Sequence, residues 1–213
     1  MKKAIVALAL LGAATQANAT IVGGKHDLNL QLSTARTAAA IADGQTCVYC
    51  HTPHQAVSQQ GAPLWNRTMT AVATYVKYDS TLLTGAMTAT IGINSQTCLS
   101  CHDGTIDLGV VLNGADRTTA TVYAQQFGAI YNIGTNLQND HPVAVAYPAV
   151  ANNDFNDRAA INGTGAGQIR LYGATGTVEC GTCHDPHVSA TAQSFFLRVS
   201  ATNSAICILC HKR

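Results

Sequence analysis

The sequence predicts a mostly irregular coil with a few short α-helices and minor β structure. Three observations lead to this prediction: loop-forming residues are spread along the chain, helical periodicity is scarce, and strand-like alternation is patchy. The chain is rich in Ala, Thr, Gly, Asn and Asp, and proline stands at positions 53, 63, 142, 148 and 186. A chain with so little regular structure cannot build one ordinary hydrophobic core, so something else must form its centre.

Only short segments carry a local structural signal. Residues 33–42, with Ser33 as the N-cap, form the best helix candidate, and a short turn is expected around Tyr75. Alternation predicts strands over residues 143–147 and 168–172. The segments predicted as loops are residues 161–167 and 173–176.

The N-terminus predicts export. Lys2 and Lys3 precede a short apolar run, and Ala17-Asn18-Ala19 supplies the small-x-small pattern that signal peptidase cleaves. We therefore expect a signal peptide over residues 1–19 and a single mature domain over residues 20–213. Thr20 follows the expected cut, so no lipid-anchored cysteine is implied. No stretch approaches the ~18 unbroken apolar residues of a spanning helix, so no membrane span is expected.

The charge balance excludes some partners. Loss of Lys2 and Lys3 changes the formal charge from +1 to −1, and no basic stripe remains, so no nucleic-acid partner is expected. Charged residues make up only 11% of the chain, less than half of the usual share. Such a weakly charged surface suits a protein that packs against copies of itself.

The eight cysteines form four Cys-x-x-Cys pairs, and each pair is followed by histidine. A disulfide framework is the default for an exported protein, and zinc ligation or a thioredoxin-like pair are other options, but each leaves the histidine unexplained. The Cys-x-x-Cys-His pattern is the attachment signature of haem c, because the two thiols add to the haem vinyl groups and the histidine ligates the iron. We therefore predict four covalently attached haems. Motifs 1 to 4 are Cys47, Cys50 and His51; Cys98, Cys101 and His102; Cys180, Cys183 and His184; and Cys207, Cys210 and His211.

The remaining four histidines match the number of iron positions still open. They are His26, His54, His141 and His187, whereas the mature chain has only two methionines, Met69 and Met87. Bis-histidine ligation of all four irons is therefore favoured. His54 and His187 each lie three residues after a proximal ligand, so each must serve a different haem from the one that its neighbour holds. His26 and His141 remain open as surface residues.

Two filled axial positions favour outer-sphere electron transfer over catalysis, because a haem enzyme needs an exchangeable coordination site. A multihaem reductase would require one iron without a sixth ligand. His26 precedes the first haem motif, and we hypothesise that it ligates a haem of a neighbouring subunit.

The haems are expected to supply the missing core, which completes the predicted fold class as a haem-cored multihaem cytochrome c. Aromatic side chains are expected to pack against them. These are Tyr49, Trp65, Tyr75, Tyr78, Tyr123, Phe127, Tyr131, Tyr147, Phe195 and Phe196. Five arginines are candidates for haem propionates or for solvent exposure: Arg67, Arg117, Arg158, Arg170 and Arg198.

At the motifs the sequence resembles the OmcE-type tetrahaem cytochromes. The likeness lies in residues 47–54, 61–66, 98–104, 139–142 and 180–187. It implies four bis-histidine haems in a continuous stack, little secondary structure, an extracellular conductive filament (a cytochrome nanowire) made of copies of the chain, and a ligand exchanged between subunits. Redox proteins or extracellular electron acceptors would then be its other partners. The alternative is a monomeric periplasmic carrier that delivers electrons to a reductase.

Overall fold

The computed structural model describes residues 21–34, 44–57, 61–62, 64–80, 83, 86–88, 90–116, 121–165, 167–188 and 195–212. Their α-helices are α1 (Leu28–Thr34), α2 (Ile93–His102), α3 (Arg158–Ile161), α4 (Cys180–Cys183) and α5 (Ala205–Cys210). The 3-10 helices are Thr46–Tyr49, Val72–Thr74, Ala124–Phe127, Ala129–Tyr131 and Thr202–Ser204. Strands β1 (Val145–Ala146) and β2 (Thr177–Val178) form an antiparallel pair. The predicted fold of mostly coil with short helices and minor β is confirmed.

Two local predictions require correction. Helix α1 begins at Leu28 instead of Ser33, because the buried Asp27 carboxylate accepts the Leu30 N–H at 3.2 Å and so acts as the N-cap. Residues 35–42 of the predicted helix lie outside the described part of the chain, as do residues 1–20 with the expected signal peptide. Residues 168–172 form only isolated bridges, and β1 pairs instead with β2 at residues 177–178.

In the part of the chain that the structure describes, most buried apolar residues fall into three small clusters in place of one core. The first has six buried residues around β1 and β2, the second has five around α2, and the third has four around the 3-10 helix Thr46–Tyr49. Cys50 of motif 1 and Cys101 of motif 2 pack against the third cluster. Cys210 of motif 4 packs against the first. Each cluster is too small to stabilise a domain alone, and each includes or contacts residues of the Cys-x-x-Cys-His motifs.

Polar side chains tie the distant segments together. Asn66 is fully buried, donates from Nδ2 to the Val48 carbonyl at 2.8 Å, and accepts the Asn113 N–H at 2.8 Å. Arg67 is also fully buried and donates to the carbonyls of Leu108 (2.9 Å) and Asp107 (2.6 Å). Unmade hydrogen bonds at buried groups are costly, so these bonds fix the segment after motif 1 against the segment after motif 2.

A buried carboxylate joins α2 to α4. The Ser95 hydroxyl donates to Glu179 and accepts the Cys180 N–H at 2.9 Å. A Cβ at Gly92 would lie 2.2 Å from Glu179 Oε1, so only glycine leaves room for the carboxylate at the start of α2. Burial raises the pKa of Glu179, against the hydrogen bonds from Ser95 and Gly92. Motifs 2 and 3 are therefore held side by side.

The end of α5 is fastened to the middle of the chain. Asn156 donates from its backbone N–H to the Cys210 carbonyl at 2.9 Å and from Nδ2 to the Ile208 and Leu209 carbonyls at 3.0 Å each. The Tyr147 hydroxyl lies 3.1 Å from the same Cys210 carbonyl. Among the described residues, no helix has the length and apolar character needed to cross a membrane.

Candidate haem-binding sites

Each Cys-x-x-Cys-His motif folds as a turn of helix. Motif 2 ends α2, motif 3 forms α4, motif 4 ends α5, and motif 1 takes a 3-10 turn. In motifs 1, 3 and 4 the histidine N–H donates to the carbonyl of the first cysteine, at 2.9, 3.1 and 2.9 Å. Residues three and four apart share one helix face, so both thiols and the imidazole of a motif are presented to one side.

All eight cysteines are free of disulfides. Burial, with the nearby Cys101 thiol, raises the pKa of Cys50 to about 12, and burial with Cys183 and Cys207 raises the pKa of Cys210 to about 11. The hydrogen bond to Cys180 and burial raise the pKa of Cys98. Each of these thiols therefore lies near a thiol of another motif, so motifs 1 and 2, 2 and 3, and 3 and 4 are neighbours in space.

The histidines form three ring pairs, each joining a motif histidine to one of the remaining four. The His51 and His187 centroids lie 6.1 Å apart with an interplanar angle of 19°. His102 and His26 are 6.1 Å apart at 75°. His211 and His141 are 6.5 Å apart at 70°. Three of the four histidines outside the motifs, His26, His141 and His187, therefore each lie beside one motif histidine.

This spacing fits one metal between each pair. With metal–nitrogen bonds of about 2 Å on both sides and ring centroids about 1 Å behind the nitrogens, two imidazoles on one metal have centroids roughly 6 to 6.5 Å apart. All three observed separations lie in this range. The donor set also fits haem iron, for which histidine is a common axial ligand.

Hydrogen bonds hold several of these rings by their second nitrogen. His102 Nδ1 lies 2.8 Å from the Tyr131 carbonyl, and His184 Nδ1 lies 2.9 Å from the Phe195 carbonyl. His141 Nδ1 lies 3.1 Å from the Pro142 carbonyl. A carbonyl at Nδ1 fixes the neutral tautomer with its proton on that atom, which leaves Nε2 free as the metal-binding nitrogen.

His26 is packed within its own chain. Its ring stacks on Phe196 with centroids 4.4 Å apart at 15°, and its buried Nδ1 has no hydrogen-bond partner within the described part of the chain. Burial, followed by the imidazoles of His102, His187 and His184, lowers the pKa of His26 to about 4, so the ring is neutral. His26 thus lies beside His102 and Phe196 within a single chain, and its ligation of a haem in a neighbouring subunit stays a hypothesis.

His54 and His184 are left outside the three ring pairs. Both are exposed, and each lies three residues from a member of the His51–His187 pair. The Asn113 side chain holds the backbone at His54 through a 2.9 Å bond to its carbonyl, while the Thr52 hydroxyl bonds the same carbonyl at 2.9 Å. The backbone on which His54 stands is therefore fixed, although its ring has no histidine partner at the distances seen for the other pairs.

The aromatic side chains divide into buried and exposed sets. Tyr49, Tyr75, Tyr147 and Phe196 are buried, whereas Phe195 is 64% exposed. The Trp65 ring meets His51 edge-on at 6.0 Å, and its indole N–H donates to Ser100 in motif 2 at 3.1 Å. Phe155, which sequence reasoning did not select, contacts His211 with centroids 4.8 Å apart. No spacing pattern marks Phe155, because its contact depends on the tertiary fold.

The candidate arginines mostly bind protein groups. Arg67 is not solvated, because its guanidinium is buried and donates to two backbone carbonyls. Arg158 donates to the Thr175 carbonyl at 2.7 Å, Arg170 lies over the Tyr172 ring at 5.3 Å, and Arg198 pairs with Asp185 at 2.9 Å. Arg117 lies outside the described residues.

Comparison with known proteins gives one family match. Residues 174–213, which include motifs 3 and 4, match the model described as the doubled CXXCH motif. No curated protein matches the chain significantly. The family match supports a multihaem c-type cytochrome with haem c bound covalently at its CXXCH motifs. Within the described ranges, no three His, Cys, Asp or Glu side chains form a set that would hold a bare metal ion.

Proposed function

We propose that this chain is an electron-transfer protein that carries four haems c, each ligated by two histidines. The three histidine pairs at 6.1 to 6.5 Å carry the proposal, because they supply both axial ligands at three irons. His54 and His184 are the two histidines that remain, and we assign them to the iron of motif 3. The proposed pairs are His51 with His187, His102 with His26, His184 with His54, and His211 with His141.

The ligand arrangement determines the type of chemistry. When bound, haem supplies one-electron exchange at iron. With histidines of the chain as both of its iron ligands, a bound haem would have no position left for a substrate, and the protein would act as an electron carrier instead of an enzyme. Carbonyls at the Nδ1 atoms of His102, His184 and His141 hold the rings in place. Electron transfer between haems at neighbouring motifs would then require little movement of the histidine ligands.

The electron paramagnetic resonance spectrum of the oxidised protein tests this ligation. We expect only low-spin ferric signals, from four covalent haems per chain. The angle between imidazole planes sets the signal shape, so the pair at 19° should give a rhombic signal and the pairs at 75° and 70° should give ramp-shaped signals at larger g. A high-spin ferric signal in the intact protein would contradict full bis-histidine ligation and would favour the reductase alternative.

We further propose that the protein is exported and that its copies assemble into an extracellular filament. Low overall charge supports this proposal, as do exposed apolar side chains beside the candidate haem sites. Ile208 in motif 4 is 51% exposed, and Ile130, next to the carbonyl that holds His102, is 76% exposed. In the proposed filament, surface contact joins the subunits, since His26 already has a candidate haem in its own chain.

Electron microscopy of shed material tests the filament proposal. Fibres are expected, whereas a monomeric periplasmic carrier would form none. The spectrum of dissociated monomers then tests how subunits join. If all four haems stay low-spin, the ligands come from one chain. One high-spin haem per monomer would instead support a ligand shared between subunits.

A further inference from the structure

Residues 195–198, here termed the clamp segment, contact histidines that we assign to different haems. The Phe195 carbonyl lies 2.9 Å from His184 Nδ1, and the Phe196 ring stacks on His26 at 4.4 Å. His184 belongs to motif 3, whereas His26 is paired with His102 of motif 2. Two adjacent residues thus act on ligands of two haems.

The backbone of the clamp segment is strained. Phe195 and Phe196 have φ values of 40° and 59°, in the left-handed region that bulky residues rarely adopt. Two hydrogen bonds hold this conformation: the Asp185 N–H donates to the Phe196 carbonyl, and the Arg198 N–H donates to the Cys183 carbonyl, at 2.8 Å each. Such strain persists only where the surrounding structure enforces it. Here one bond joins the segment to Cys183 of motif 3, and the other joins it to Asp185, the residue after that motif.

The clamp segment also extends toward a third histidine. The Arg198 guanidinium donates to the Gly181 carbonyl at 2.8 Å and to Asp185 Oδ2 at 2.9 Å. The other oxygen of Asp185 lies 3.4 Å from His187 Nδ1. The His187 backbone N–H donates to that same Asp185 oxygen at 3.0 Å, so the clamp segment is linked through Asp185 to the backbone on which His187 stands.

We propose that Phe196 is a positioning residue that fixes the ring plane of His26, and that the clamp segment couples the ligand geometry of the haems at motifs 1, 2 and 3. Phe196 lies nearly parallel to His26, at 15°, so rotation of the imidazole about its bond to iron would drive it into the phenyl ring. Phe196 thereby maintains the 75° angle between His26 and His102. This inference rests on the proposed ligation of haem by these histidines.

Replacement of Phe196 in the haem-loaded protein tests the inference. Phe196→Leu removes the flat face but keeps an apolar side chain, and Phe196→Tyr keeps the face. In Phe196→Leu, one ramp-shaped signal should move toward smaller g or broaden, and the midpoint potential of one haem should shift. Phe196→Tyr should retain the wild-type spectrum. Val150→Ala is the control, since Val150 is 73% exposed and takes no part in the contacts of the clamp segment with the histidines.

The outcomes separate this inference from the proposed function. An unchanged spectrum and unchanged potentials in Phe196→Leu would overturn the positioning role, even with four low-spin haems in the wild type. A high-spin wild-type protein would instead overturn the proposed ligation. If Phe196→Leu cannot be purified as a folded protein, Phe196→Met also removes the flat ring at similar volume. Its spectrum and midpoint potentials then test the positioning role in the same way.

Discussion

Replacement of His187 with alanine should open one of four irons while leaving the other three unchanged. His187 faces His51 at 6.1 Å, so its loss removes the proposed second ligand of the haem at motif 1. The oxidised variant should gain one high-spin signal, and the reduced variant should bind carbon monoxide at one haem per chain. His187→Met should restore six-coordination and raise one midpoint potential by on the order of 0.1 V, within the ~0.8 V range that axial ligands span.

A neighbouring residue provides the control for this experiment. Val188→Ala alters the adjacent position without removing a proposed ligand, and its spectrum should match that of the wild type. Four low-spin irons in His187→Ala would show that His187 is not an axial ligand. Recovery of the low-spin spectrum on addition of free imidazole would establish that the change arises at the vacated position.

Loss of all four proposed haems should abolish the fold. Most of the described buried apolar residues lie in three separate clusters of four to six, and the centroids of the paired histidine rings stand at the separation expected for two imidazoles on one metal. A chain with all eight cysteines changed to alanine should therefore lose the whole of the roughly 5–15 kcal/mol that stabilises an ordinary domain. Thermal unfolding followed by circular dichroism should show no cooperative transition.

Removal of one haem serves as the comparison. Cys207→Ala with Cys210→Ala deletes only the motif 4 attachment, and this variant should still unfold cooperatively, at a lower temperature than the wild type. A cooperative transition in the chain without cysteines would contradict the view that haem supplies the core.

The haem-attachment motifs could be recognised in the sequence because each of them is a short local pattern. A Cys-x-x-Cys-His motif needs only one helical turn to present its groups, and motifs 1 to 4 all adopt such a turn. Scarce periodicity likewise predicted the irregular fold. Local signals failed where two of them competed: Asp27 and Ser33 are both good N-caps, and the bonds of Asp27 to Leu30 and Thr46 decide the start of α1.

Long-range contacts could not be predicted from the sequence. The sequence offered four distal histidines without partners, and the pairing of His26 with His102 follows from chain segments 76 residues apart. The carbonyls of Tyr131 and Phe195 carry no side-chain signature, so their bonds to histidine cannot be detected as a motif. Phe155 and Phe196 belong to this class, because an aromatic residue in a loop gives no indication of which ring it will meet.

The attachment of Asn156 to α5 has a consequence for how the chain folds. Its side chain reaches the carbonyls of Ile208 and Leu209, which lie 52 and 53 residues later in the chain, and its backbone N–H reaches the carbonyl of Cys210. The region around Asn156 therefore cannot reach its final arrangement until α5 has been synthesised. A fragment of the chain that stops before α5 should leave this region open to proteases.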